Sequence, residues 1–140
     1  MKLLVVIGAV IAAVSAGGVG ASPSSSLELR GVLQGRFDNV ACPAGTAPTT
    51  SCYRNELNGP VPGLGAVSIL HTLLVENADT DCATWRAGSA IADARGEIQI
   101  AAKSSACLPY GPSGAMDFTV TRGSGAYTGA SGSGRLETRG

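Results

Sequence analysis

Histidine occurs once in this chain, at His71, and tryptophan once, at Trp85. Three tyrosines and two phenylalanines complete the aromatics, too few for a base-stacking platform. Charged residues make up 14% of the chain, balanced to a formal net charge of zero, and no basic tract interrupts them. Phosphate binding needs clustered positive charge, so nucleic acid is not an expected partner. The four cysteines include no Cys-x-x-Cys spacing, and with a single histidine the ligand patterns of zinc sites are missing. No metal and no cofactor is therefore expected. Glycine-rich segments lack the Lys-Ser or Lys-Thr ending of a phosphate loop. Gly123-Ser-Gly125 and Gly132-Ser-Gly134 are not flanked by strand and helix, so a hydrolase nucleophile elbow is disfavoured.

Long apolar runs are missing too, with one exception. Lys2 gives a positive start, Leu3 to Val14 an apolar centre, and Ser15 to Ala21 a small-residue end. That is the layout of an export leader, and it is shorter than the ~20 residues of a membrane helix. Cleavage fits after Val14-Ser-Ala16 and after Val19-Gly-Ala21; the second is preferred, giving residues 1–21 as signal and 22–140 as one domain. No cysteine follows either site, which argues against a bacterial lipid anchor. The expected product is secreted, with no membrane association after cleavage. In an oxidising compartment the four cysteines are expected to form two disulfides.

What remains reads as strands. From Leu27 to Phe37, Leu27, Leu29, Leu33 and Phe37 alternate with polar residues, and Gly31 and Gly35 on the apolar face leave room for a large side chain opposite. Residues 38–63 hold four of the seven prolines and read as a long loop, with Tyr53 to Leu57 a possible short edge strand. Cys42 and Cys52 fall inside it and are expected to pair, leaving a stapled surface loop or a lid. Ala66 to Glu76 is a central strand with Val67, Ile69, His71, Leu73 and Val75 on one face. The acidic turn 76–81 lacks the glycine and glutamate of a calcium loop and reads as solvated.

Cys82 to Ala92 and Glu97 to Cys107 form a hairpin about Asp93-Ala-Arg-Gly96, with opposed residue numbers summing to 189. That register sets Ile91 against Ile98 and Cys82 against Cys107, within disulfide reach. It also opposes Arg86 to Lys103, a like-charge pair tolerable on a wet face. Near the end, Met116, Phe118 and Val120 alternate with polar residues, and Gly123-Ser-Gly125 offers a turn into a glycine-punctuated return strand.

The stretch Gly123-Ser-Gly125-Ala-Tyr127-Thr-Gly129-Ala-Ser-Gly132 resembles the Gly-Thr-Gly-x-aromatic-x-Gly-Ala-x-Gly signature of the allene oxide cyclase and dirigent-like superfamily. Ser124 stands where threonine is commoner, and the resemblance covers about a sixth of the chain. It implies an all-β fold, a single antiparallel β-barrel of about eight strands with a central cavity. No residues match the catalytic set of the plant cyclases, so their activity does not carry over. The cavity candidates are His71, Trp85 and Tyr127. His71 is either a core histidine satisfied by its neighbours or a polar anchor in the lumen; Trp85 is either core or ligand platform. The expected function is binding without catalysis, to a small apolar ligand in the lumen or to a protein partner. A lumen isomerase or cyclase is the alternative, and whether the chain is an enzyme stays open.

Overall fold

The computed structural model describes residues 3–12, 26–77, 81–107 and 113–139, with side chains over 31–77, 81–107 and 115–136. It is all-β, with no helix among the described residues. After a first strand, β1 (Leu3–Ala12), seven more run in chain order: β2 (Ser26–Val40), β3 (Ser51–Val61), β4 (Gly65–Glu76), β5 (Cys82–Asp93), β6 (Gly96–Cys107), β7 (Ser113–Gly125) and β8 (Ser133–Arg139). Each pairs antiparallel with the next, making one continuous sheet.

Residues 22–140 do not by themselves make the expected eight-stranded barrel. They supply seven strands, and the first and last of these are not paired with one another. The position between them is held by β1 (Leu3–Ala12), from within the stretch read as a leader. It runs antiparallel to both, matching Leu3–Ala12 to Ser26–Gly35 of β2 and Val6–Ala12 to Ser133–Arg139 of β8. With β1 counted, every strand has two hydrogen-bonded neighbours. An apolar, β-branched decapeptide fits a membrane-engaging leader and a buried strand equally well, which is why the sequence pattern alone does not separate them. Both proposed cleavage sites lie outside the described residues.

Alternation decides which face is buried. Leu33, Leu57, Val61, Val67, Ile69, Ile98, Ile100, Phe118 and Leu136 form one cluster on the inner face, Leu33 being only 1% exposed. Tyr53, Asn55, Leu57 and Val61 alternate with Arg54, Glu56, Asn58 and Pro60. β3 is therefore a full strand between β2 and β4, and the expected loop over 38–63 shrinks to 41–50 plus a tight turn at 62–64. Asn55, Gly59 and Pro60 masked the period in the sequence. Gly35 faces backbone and not a large side chain: a methyl there would collide with the carbonyl of Glu56, so the glycine permits close approach of β3.

Both disulfides, Cys42–Cys52 and Cys82–Cys107, are formed. The β5–β6 hairpin has the expected register, from Asp93 against Gly96 to Cys82 against Cys107. Arg86 opposes Lys103, but its Nε donates to Glu76 at 2.9 Å, and Lys103 faces Asp117 across the other ladder. Like charges are thereby interleaved with carboxylates. The last hairpin differs from expectation: β7 continues through Gly125 and the chain turns at 126–129. Residues 78–80 of the acidic turn and Tyr110 lie outside the described residues. Among the described residues no helix is long and apolar enough to cross a membrane, and two disulfides are compatible with an extracellular protein.

Candidate ligand site

Register brings three polar residues of three neighbouring strands side by side on the inner face. Asn55 of β3 lies opposite His71 of β4, and His71 opposite Ser89 of β5. His71 Nδ1 and Ser89 Oγ share a hydrogen bond of 2.7 Å, and Ser89 is only 6% exposed. Burial lowers the His71 pKa below 6.5, favouring the neutral imidazole at neutral pH. A neutral ring has one donor and one acceptor nitrogen, so with Nδ1 committed to Ser89 the Nε2 stays available. The Asn55 Oδ1 is buried and has no hydrogen-bond partner among the described residues.

Apolar groups surround this polar rung on both sides. Two residues further along each strand, about 7 Å, Leu57, Ile69 and Ile91 belong to the packed cluster or lie against it. In the other direction stand Tyr53, Leu73 and Ala87, and Phe37 opposes Asn55 from β2. Phe37 and Tyr53 pack as a tilted aromatic pair with centroids 4.9 Å apart, yet Phe37 remains 47% exposed. The interior is thus tightly filled on one side of the rung and bordered by an accessible aromatic on the other.

A second polar cluster occupies one end of the same face. The Asp93 carboxylate, 3% exposed, accepts from the Tyr127 hydroxyl (2.6 Å) and from Arg95 Nε and Nη2 (2.9 and 2.7 Å). It also accepts from the backbone N–H groups of Arg95 (2.8 Å) and Gly96 (3.2 Å). The Tyr127 bond, helped by Arg95 and opposed by desolvation, lowers the Asp93 pKa to about 2. Burial, followed by the Asp93 contact, raises that of Tyr127. The Arg95 guanidinium sits 5.4 Å from the Tyr127 ring centre and donates to its hydroxyl at 2.6 Å. The Ala126 N–H adds a 2.9 Å bond to the Arg95 carbonyl.

The glycines of the terminal motif make this latch possible. Gly125 has φ of 63°, and a methyl on it would collide with the Arg95 carbonyl; one on Gly123 would strike the carbonyl of Tyr127. The motif therefore presses the 123–130 loop onto the β5–β6 turn.

The three cavity candidates do not converge. His71 lies beside Ser89 in the middle of the face, and Trp85 sits four residues towards the Cys82 end of β5. Tyr127 reaches Asp93, four residues the other way, a separation of about 13 Å in each direction at strand rise. Asn55 and Asp93 were missed in the sequence. Asn55 falls within Tyr53 to Leu57, expected at most as a short edge strand and so not as part of an inner face, and Asp93 passes for a turn residue, although an acid two places before an arginine in a glycine turn hints at a local clasp.

Chemically, an imidazole bonded to a hydroxyl resembles a base and its nucleophile. Here the Asn55 Oδ1 that would orient the ring makes no bond to it, and the strand N–H groups around Ser89 belong to a ladder and not an oxyanion hole. Among the described residues no cluster of three metal-ligating side chains occurs. Comparisons with protein families, with curated proteins and with solved structures gave no match to this chain.

Proposed function

We propose that this chain is a secreted all-β protein of the dirigent-like type that binds a small, mainly apolar molecule on its inner face without transforming it. The observation that carries the reading is the buried, unpartnered Asn55 Oδ1 beside the neutral His71. A buried acceptor left unpaired costs about 1–3 kcal/mol, and a ligand that donates one hydrogen bond recovers it. Phe37, Tyr53 and Leu73 supply the apolar surroundings for the remainder of such a molecule. The resemblance of the Gly123–Gly132 motif to cavity-bearing barrels points the same way. An isomerase or cyclase would use the same rung, with His71 as polar anchor.

The test uses Trp85, the single tryptophan, as an internal reporter. Exported protein is titrated with 1-octanol and with its isomer methyl heptyl ether, which matches it in size but has no donor. The alcohol is expected to shift Trp85 emission and raise Tm, with the ether about tenfold weaker, in keeping with one buried hydrogen bond. In Asn55→Leu the preference disappears while the fold persists. Equal binding of the two, or no binding, refutes the reading; recovery of a chemically altered ligand moves it to the enzyme alternative.

A further inference from the structure

The place of β1 has a consequence for the exported protein. Its ten residues, Leu-Leu-Val-Val-Ile-Gly-Ala-Val-Ile-Ala, carry no charge and pair with ten positions of β2 and seven of β8. They also form the apolar centre of the segment read as an export leader. The disulfides suit a compartment reached by export, where leaders are removed. Cleavage after Ala16 or Ala21 takes the whole of β1 away.

What is left is a sheet of seven strands with two exposed edges. Successive strands alternate in direction, so with an odd number β2 and β8 run the same way. They cannot extend the antiparallel ladder by joining each other. In the structure they stand on either side of one strand, about 9–10 Å apart by ordinary strand spacing. A single antiparallel strand placed between them satisfies both rows of backbone groups at once. A second copy laid edge to edge on β2 satisfies only β2 and leaves β8 open. Vacating the slot uncovers ten residues of β2, Ser26–Gly35, among which Val32 is already exposed, the kind of edge that recruits another strand.

We infer that the exported chain is a strand acceptor: the slot vacated by Leu3–Ala12 takes an extended, uncharged apolar segment of about ten residues from a partner protein. Recognition is by backbone pairing on both sides, with the apolar side chains directed by the two-residue alternation of a strand. This inference rests on the leader reading and is independent of the ligand reading above.

The experiment starts from the full precursor produced in an exporting host, with the released protein purified and its intact mass measured. The probe is a synthetic peptide of the β1 sequence with lysines added at both ends for solubility; a version with proline in place of its third and seventh residues (Val5 and Ala9) is the control. The expected result is one peptide per chain by native mass spectrometry, a raised Tm, and new hydrogen-exchange protection in both β2 and β8. The proline control should do none of these. A precursor with both sites blocked, Ala16→Arg with Ala21→Arg, keeps its own strand and should refuse the peptide. Should the released chain be unfolded alone, the peptide should restore its hydrogen-exchange protection. The inference is overturned if released protein retains residues 3–12. It is equally overturned if β2 and β8 are protected without peptide, or if a dimer forms with protection confined to β2.

Discussion

Two polar clusters share the inner face of this sheet, and they are built on opposite terms. At one end Asp93 has a donor for its carboxylate at every side, from Tyr127, from Arg95 and from two backbone N–H groups. At the middle, Asn55 lies beside His71 with its carbonyl oxygen unpaired. The first arrangement is self-sufficient and clamps two hairpins together. The second has hydrogen-bonding capacity left over among the described residues, and the proposed ligand would use it. Burial alone therefore does not distinguish a structural polar group from a functional one; the balance of donors and acceptors does.

Substitutions can break this contrast. The largest effect is expected at Asp93: Asp93→Asn strands donors arranged for a carboxylate and should cost about 2–3 kcal/mol in chemical denaturation at pH 7. Because its folded pKa is depressed to about 2, the carboxylate stabilises fully above its ordinary value near 3.8. That contribution is lost as pH falls from about 4 towards 2, and the variant should lack this part of the acid limb. Tyr127→Phe removes one of the same bonds and should cost about 1 kcal/mol.

His71 should give a smaller, pH-dependent effect. Its folded pKa is lowered, so below 6.5 the unfolded chain takes up the proton more readily and stability falls with pH until the folded pKa is passed. Comparing Tm at pH 7 and pH 5 checks this: His71→Gln should lose less on acidification than the parent protein. The smallest effect belongs to Asn55→Leu. Replacing an unpaired buried acceptor by an apolar group of similar size should leave stability within about 1 kcal/mol of the parent, or raise it slightly. A loss at Asn55 as large as that at Asp93 would erase the distinction drawn between the two clusters.

Much of the framework was legible because several independent signals coincided. On β5 and β6 the hydrophobic alternation, the turn glycine and the spacing of Cys82 and Cys107 all specify one register, and that register is formed. β3 was obscured because its inner face carries Asn55 and Gly59 and its outer face Pro60, so no run of apolar residues advertised the period. The latch was invisible for a different reason: Asp93 and Tyr127 are thirty-four positions apart, and only the folded chain brings them to 2.6 Å. Leu3–Ala12 presents the converse difficulty, since one composition serves two physical roles.

One irregularity on β7 sets where the latch falls. Ile100 opposes Val120, but Gln99 opposes Arg122, so Thr121 is an extra residue bulged out of the ladder, its hydroxyl bonded to the Gln99 carbonyl. That single inserted residue resets the in–out phase of everything that follows it, letting Val120 and Gly123 both point inward although three positions separate them. Flatten the bulge, with Thr121 drawn into the ladder opposite Gln99, and Gly123 would rotate to the solvent side, turning the 123–130 loop away from Asp93. The chain thus spends one odd-numbered step to deliver its terminal tyrosine to the right side of the wall.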